Sequence, residues 1–289
     1  MSAKPDPDKQ GLSRRSLLIG GLAAGGLVVG WSLWPRQYRP GLAATEDERV
    51  FDAWLKIARD GQVTVAVPQA ELGQGVYTQL AQIVAGELGA DWRTVAVQPA
   101  AINPLFANDL LARQWAPAVL PVGADRAGEE PMIADAIDKL ATRSTFMVTA
   151  GSTSIRMFEE PARKAGAVAR AMLCQAAAAR WDVAWESCQA QDGFVVFQQK
   201  RLRFGVLVDE AAALDPPDPV PLLPSPRNIL SGTDQLRLDV PAKLDGSATF
   251  AGDVRLPEML YASIRHGPIG DSRLKALRSA GAKAIIGLV

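Results

Sequence analysis

Residues Val63 to Val97 read VTVAVPQAELGQGVYTQLAQIVAGELGADWRTVAV, and the fold turns on how this stretch divides. Val63, Val65 and Val67 alternate with Thr64 and Ala66, the period-two pattern of a strand with one buried face. Pro68 has no N–H to give to a neighbouring strand and ends it. Gln69 to Gly75 follow as a loop in which Gly73 and Gly75 bracket Gln74. Leu80, Ile83, Val84 and Leu88 then recur at helical spacing until Gly89 stops the helix, and Thr94 to Val97 return to a strand pattern. Strand, glycine-bracketed loop and helix N-terminus in that order suit an anion or cofactor, because N–H groups free of partners converge where the helix dipole is positive. Turn chemistry alone also places glycines at such a junction, so the loop is a weak signal by itself.

Upstream, Ala53 to Ala58 and Gln62 to Val67 flank the tight-turn signal Arg59-Asp60-Gly61, which predicts a hairpin. Downstream, residues 101–128 carry Pro104, Pro117 and Pro121 and read as a long loop with one short helix, Asn108 to Gln114. Pro131 stands where a helix begins, and Met132, Ile133, Ala136, Ile137 and Leu140 continue its period. A second cluster follows, Thr149-Ala150-Gly151-Ser152-Thr153-Ser154-Ile155-Arg156, ahead of an Ala/Arg-rich helix from about Glu160 to Trp181. Small hydroxyl residues after a glycine and before a helix supply short donors and open N–H groups, the second half of a phosphate cradle. Plain N-capping accounts for one of Ser152, Thr153 and Ser154 but not for all of them. Arg156 and Arg163 are candidates to supply charge to a pyrophosphate, with Arg163 better read as an exposed helical arginine.

Val195 to Phe197 and Leu202 to Phe204 predict a hairpin, and Phe204 to Leu214 a helix. Asp215 to Pro226, DPPDPVPLLPSP, is proline-dense and reads as a stiff connector and domain boundary. Beyond it, Arg237 to Lys243 and Ala248 to Ile264 read as short apolar strands broken by Gly252 and Pro257.

Composition removes several function classes. Lys+Arg and Asp+Glu both number 31, so no net basic field exists to hold nucleic acid. A Cys/His metal centre or an iron–sulfur cluster needs more ligands than His266, Cys174 and Cys188, so neither is expected within this chain. His266 sits in a Pro/Gly-flanked turn with no nucleophile elbow to serve, which argues against a serine hydrolase. The two cysteines are read as unpaired thiols, one of them buried, with a disulfide left open.

The N-terminus has the form of a twin-arginine export signal: a polar start, Arg14 and Arg15, then a Gly/Ala-rich run without charge as far as Pro35. Residues 16–35 are at the lower limit for spanning a bilayer, so the segment serves equally as a membrane anchor. Either way the mature protein, from Thr45, is expected in the periplasm or on the periplasm-facing inner membrane.

AELGQGVYTQLAQIVAGELGADWRTVAV resembles the opening motif of the large, molybdenum-binding subunits of isoquinoline 1-oxidoreductase-like enzymes, in the xanthine oxidase family of molybdenum hydroxylases. AGSTSIRMFEEPARKAGAVARAML is similar to their Gly-Gly-Ser-Thr-Ser segment, with Ala150 in place of a glycine. An alanine where φ must be positive would strain that turn by about 1 kcal/mol. ATFAGDVRLPEMLYASI resembles the start of the α/β hammerhead domain of aldehyde oxidases and xanthine dehydrogenases. The resemblance implies an α+β chain: a signal or anchor at 1–44, the N-terminal part of a molybdopterin-binding domain at 45–214, a linker at 215–226 and an incomplete hammerhead at 227–289.

By the same resemblance the cofactor is molybdopterin cytosine dinucleotide. Gly73, Gln74 and Gly75 would contact the pterin dinucleotide, and Gly151, Ser152, Thr153 and Ser154 would hold its phosphates. The implied reaction puts a water-derived oxygen on an N-heteroaromatic ring or an aldehyde. Electrons then pass to a small [2Fe–2S] subunit and on to a downstream cytochrome. The catalytic glutamate of such enzymes is expected beyond Val289, since Ala284 to Val289 read as a strand cut in mid-domain. Two other readings stay open: an inactive fragment or half of a split enzyme, and a periplasmic binding or assembly module without redox activity.

Overall fold

The computed structural model describes residues 34, 36–119, 130–224, 230, 232–277 and 281. Arg14 and Arg15 and residues 16–33 lie outside the described residues. Among those described, no helix is long and apolar enough to cross a membrane.

The first sheet has four strands in the order β1 (Glu48–Val50), β2 (Leu55–Ala58), β3 (Val63–Val67) and β4 (Val95–Pro99). β1, β2 and β3 run antiparallel through tight connections, the turn at Arg59-Asp60-Gly61 included. β3 and β4 are parallel, with Val63 opposite Val95 and Val67 opposite Pro99, and helix α1 (Val76–Leu88) makes the crossover. The strand–loop–helix–strand division read from the sequence is therefore the one that forms.

One detail differs. All five residues of β3 are buried, so the strand is covered on both faces rather than one. Thr64 lies opposite Lys56, whose Nζ donates to Ala43 O (3.1 Å) and to Glu48 (2.8 Å); the chain ahead of β1 thus closes the second face. Alternation of Val with Thr and Ala could not show this, because small side chains suit either environment.

Helix α2 (Asp109–Val119) runs past the expected end at Gln114 and packs on α3 (Pro131–Arg143), which starts at the proline as predicted. The Arg113–Asp138 pair ties the two. Helix α4 (Ser154–Trp181) begins six residues before the expected start at Glu160. Pro161 inside it gives up one backbone hydrogen bond. Phe158, 1% exposed and 5.8 Å from the ring of Trp54, anchors that extra turn and a half in the core.

α1 and α4 pack closely. At Gly166 a Cβ would lie 2.5 Å from Val84 O and 2.9 Å from the Glu87 Cβ, so only glycine permits this approach. Three antiparallel strands, β5 (Gln189–Gln191), β6 (Phe194–Phe197) and β7 (Lys200–Arg203), form a second sheet, and α5 (Phe204–Ala211) follows and covers β2.

The proline-dense segment lies against the helices. Glu87, fully buried, accepts from Leu223 N (3.0 Å) and from Arg163 Nη2 (2.8 Å) and pairs with Arg170. Arg170 also donates to the carbonyl oxygens of Glu87 and Pro221. Arg163 is thus half-buried in this cluster rather than a free surface arginine, and its guanidinium is taken up by Glu87 and Leu223 O. Further attachments follow along α1: Gln82 Nε2 donates to Leu230 O (2.5 Å) and Thr233 O (2.9 Å), and Leu238 N donates to Thr78 Oγ1 (2.9 Å). Leu223, Leu230, Thr233 and Leu238 therefore meet α1 in order from its C-terminal end back to its N-terminal end.

The compact unit holding all of this extends to Pro241, and the second unit runs from Ala242 to Val289. The helix α6 (Val240–Leu244) stands where the first of the expected hammerhead strands was read. Beyond α6 the described part of the second unit is largely irregular chain, with one helical turn at Ala251–Asp253 and with Phe250, Leu256, Tyr261 and Ile264 exposed. The strands expected at 237–243 and 248–264 do not form there. Isolated apolar segments gain ladder hydrogen bonds only from a neighbouring strand, and none of the described residues supplies one.

Candidate functional site at two helix N-termini

The loop after β3 is held in shape by the residues it contains. Gly73 (φ 103°) and Gly75 (φ 85°) both adopt the left-handed region, and Gly75 caps α1. Glu71 Oε1 accepts from the N–H groups of Gly73 (2.8 Å) and Gly75 (3.0 Å), and its Oε2 accepts from Tyr77 N (3.2 Å). Gln74 folds back as well, its Oε1 accepting from Leu72 N (2.6 Å) and its Nε2 donating to Ala70 O (2.8 Å). The convergent N–H groups expected to receive a ligand anion already receive the carboxylate of Glu71.

Burial works to raise the Glu71 pKa, but the hydrogen bonds from Gly75, Tyr77 and Gly73 outweigh it and hold the carboxylate below its ordinary range. Arg237 completes the arrangement, its Nη2 3.2 Å from Glu71 Oε1 and its Nη1 donating to Gly73 O (2.9 Å). Burial, helped by Glu71 and Asp239, raises the Tyr77 hydroxyl above its usual value, so it stays protonated. The other side of the loop is open: a Cβ added at Gly73 or Gly75 would meet no atom of the described residues within 4 Å. Sequence reasoning passed over Glu71, although a carboxylate just ahead of a helix start is a recognisable partner for its dipole. Arg237 had no local signal at all.

The second loop is built differently. Gly151 (φ 64°) and Ser152 (φ 52°) are left-handed, while Ala150 is not among the residues with positive φ, so the expected strain at Ala150 does not arise. Ser152 and Gly151 are exposed, whereas Thr153 is fully buried. The Thr153 hydroxyl donates to Ala150 O (2.7 Å) and accepts from Asn108 Nδ2 (2.7 Å). Ser154 Oγ donates to Gln69 Oε1 (3.1 Å). No side chain caps the N-terminus of α4. Arg156 lies exposed in the first turn of that helix.

The two loops are joined. Ala70 N donates to Thr149 Oγ1 (2.9 Å), and the Ser154–Gln69 bond adds a second tie across 85 residues of sequence. Because Gly166, about three turns into α4, meets Val84 and Glu87 about three turns into α1, both helices lead away from the joined loops in the same direction. Two positive helix ends therefore share one location, with glycine backbone exposed beside them.

A cavity of about 520 Å³ lies elsewhere, lined by Gly86, Arg170, Cys174, Trp185, Cys188 and Leu223, and neither loop contributes to it. Both cysteines are free and both are buried. Burial, reinforced by Cys188, pushes the Cys174 thiol up to about 12, and burial raises Cys188 as well, so neither is a ready nucleophile.

Residues 13–104, which include the Gly73-Gln74-Gly75 loop, match the family model of a molybdopterin cofactor-binding domain. Gly151 to Ser154 lie beyond the matched residues. The chain is 28% identical over 273 residues to the beta chain of isoquinoline 1-oxidoreductase from Brevundimonas diminuta, covering 82% of this chain and 31% of that protein. It is 28% identical over 293 residues to the membrane-bound aldehyde dehydrogenase [pyrroloquinoline-quinone] of Gluconacetobacter polyoxogenes, covering 98% and 33%. It is 28% identical over 230 residues to a subunit of nicotinate dehydrogenase from Pseudomonas putida, covering 79% and 16%. The matched segment thus sits in a chain with distant similarity to these proteins, and the chain spans a third or less of their length. The glycine loop suits such a cofactor, since its open side leaves room for a ligand against bare backbone.

Proposed function

We propose that this chain is the N-terminal portion of the large subunit of a molybdenum hydroxylase that oxidises N-heteroaromatic compounds or aldehydes. The observation that carries the reading is the joining of the two loops at paired helix N-termini, one of them inside the molybdopterin-binding segment. When bound, molybdopterin cytosine dinucleotide supplies the transfer of a water-derived oxygen to a carbon next to nitrogen or oxygen, and the uptake of two electrons. The residues of this chain bind and orient. Gly73, Gln74 and Gly75 contact the pterin dinucleotide through open backbone. Gly151 to Ser154 receive its phosphates; since the Thr153 and Ser154 hydroxyls are engaged within the protein, the donors assigned there are the Ser152 hydroxyl and backbone N–H groups. The partners assigned to it are a small [2Fe–2S] subunit and a cytochrome, which would take up the electrons, and its export would follow the twin-arginine route through Arg14 and Arg15.

The test is the protein isolated from its source organism and separated into cytoplasmic, periplasmic and membrane fractions. The expected result is molybdenum and CMP, the latter released by acid hydrolysis, in equal amounts in the periplasmic or membrane fraction and associated with a [2Fe–2S] protein. Bound nucleotide without molybdenum would mean a binding or assembly module. Pyrroloquinoline quinone without molybdenum would overturn the cofactor assignment, and neither cofactor would mean an inactive fragment.

A further inference from the structure

Glu71 lies in a loop in which a cofactor would be expected to meet free N–H groups, and it uses those groups itself. Its side chain is only 6% exposed. A carboxylate held by three backbone donors and one guanidinium is a fixed part of the loop, and a phosphate displacing it would have to bury it elsewhere without partners. Its effect is conformational. Its bonds from Gly73 N and Gly75 N aim both N–H groups inward, and on the other side of each glycine an added Cβ would meet no atom of the described residues within 4 Å.

Arg237 reaches the same loop from 166 residues away, contacting both the Glu71 carboxylate and Gly73 O. Asp239 holds the guanidinium from behind, with Nε at 3.0 Å and Nη2 at 2.7 Å from its two oxygens. Leu238 N on Thr78 Oγ1 fixes the backbone between them.

We propose that Glu71 and Arg237 are positioning residues for the cofactor loop. Glu71 sets the two left-handed glycines from within, Arg237 clamps the loop from outside, and cofactor retention depends on both. The inference rests on the reading that this loop faces molybdopterin. It assigns a role in cofactor binding to residues 237–239, which lie beyond the matched domain segment.

The test uses the full chain in its native assembly and four variants: Glu71→Gln, which keeps the shape and removes the charge, Glu71→Asp, Arg237→Met and Arg237→Lys. Two quantities are measured: amide hydrogen exchange in a peptide spanning residues 70–78, and molybdenum and phosphorus per chain after gel filtration. In Glu71→Gln, exchange in that peptide and loss of cofactor should both rise about tenfold or more, as expected when charge-assisted hydrogen bonds are lost, while exchange in α4 stays unchanged. Glu71→Asp, one methylene short, should behave alike. Arg237→Met should give a smaller rise in both, and Arg237→Lys should recover part of it. Should the Glu71 variants unfold, Arg237→Met decides alone, because its side chain is partly exposed and its loss leaves no cavity. Wild-type exchange in residues 70–78 of the variants overturns the proposal, and so does a loosened loop that keeps its cofactor. If the wild type carries no molybdopterin while Glu71→Gln still loosens the loop, the positioning of the loop stands and the functional reading falls.

Discussion

The N-termini of α1 and α4 lie at the same place, yet they are finished in opposite ways. α1 begins at a glycine and is capped by a carboxylate from its own loop; α4 begins after a left-handed Gly-Ser pair and has no side-chain cap. The sequence suggested the same chemistry for both, free N–H donors for an anion. The difference separates two tasks: the first loop offers shaped, bare backbone, and the second offers an unneutralised helix end. A cofactor with a flat ring system and a phosphate tail needs one of each.

That division depends on the helices staying level, which makes the far end of the pair the place to break it. Glu87→Ala would leave the buried Arg170 and the half-buried Arg163 without their carboxylate and release Leu223 N. The expected cost is about 3–5 kcal/mol, read as a lower denaturation midpoint in urea with little change of slope. A loss under about 1 kcal/mol would mean that apolar packing around Gly166 holds the helices without this cluster.

A smaller effect on stability, with a larger one on binding, is expected at the first loop. Gly75→Val forces a β-branched residue to φ 85° and should cost about 1–2 kcal/mol, although its Cβ meets no atom of the described residues within 4 Å. Cofactor content should fall to background, because the new side chain occupies the open side of the loop. Unchanged molybdenum content in this variant would move the site elsewhere.

How much of this was legible depends on the range of the forces involved. Strand β3, its loop, α1 and β4 were readable because period, proline and glycine act within a few residues. So was the start of α3 at Pro131. The early start of α4 was hidden because Phe158 repays the proline through tertiary burial. The capping of the first loop by Glu71 and Arg237, and the Glu87 cluster, join residues that no local pattern links; Arg163 read as a surface residue for that reason. The hammerhead strands show the converse error. Their apolar pattern was plain, but a strand requires a partner as well as a pattern.

The least expected effect sharpens the second loop. Asp109 follows Asn108, the residue that steadies Thr153, and its Oδ1 has no hydrogen-bond partner among the described residues. Burial first, then Asp138, push its pKa up from 3.8 to about 6, against the pull of Arg113. A carboxyl whose pKa is raised in the folded state favours folding below its unfolded value, and that contribution is lost as pH rises from 3.8 to about 6. Asp109→Asn should therefore be more stable than the wild type above pH 6 by about 1 kcal/mol, after allowance for screening at a partly exposed site, and equal to it near pH 4. Thermal unfolding at both pH values checks this; an equal effect at both would assign the change to packing.

The run of attachments from Leu223 to Arg237 along α1 also has a consequence for biosynthesis. β3, α1 and β4 are local and can form as soon as residue 99 has been made, whereas the Arg237–Glu71 contact that clamps the glycine loop spans 166 residues. A nascent chain halted before residue 237 would hold the strands and the helix with the glycine loop not yet clamped, so the order of translation delays the finished loop until most of this chain exists.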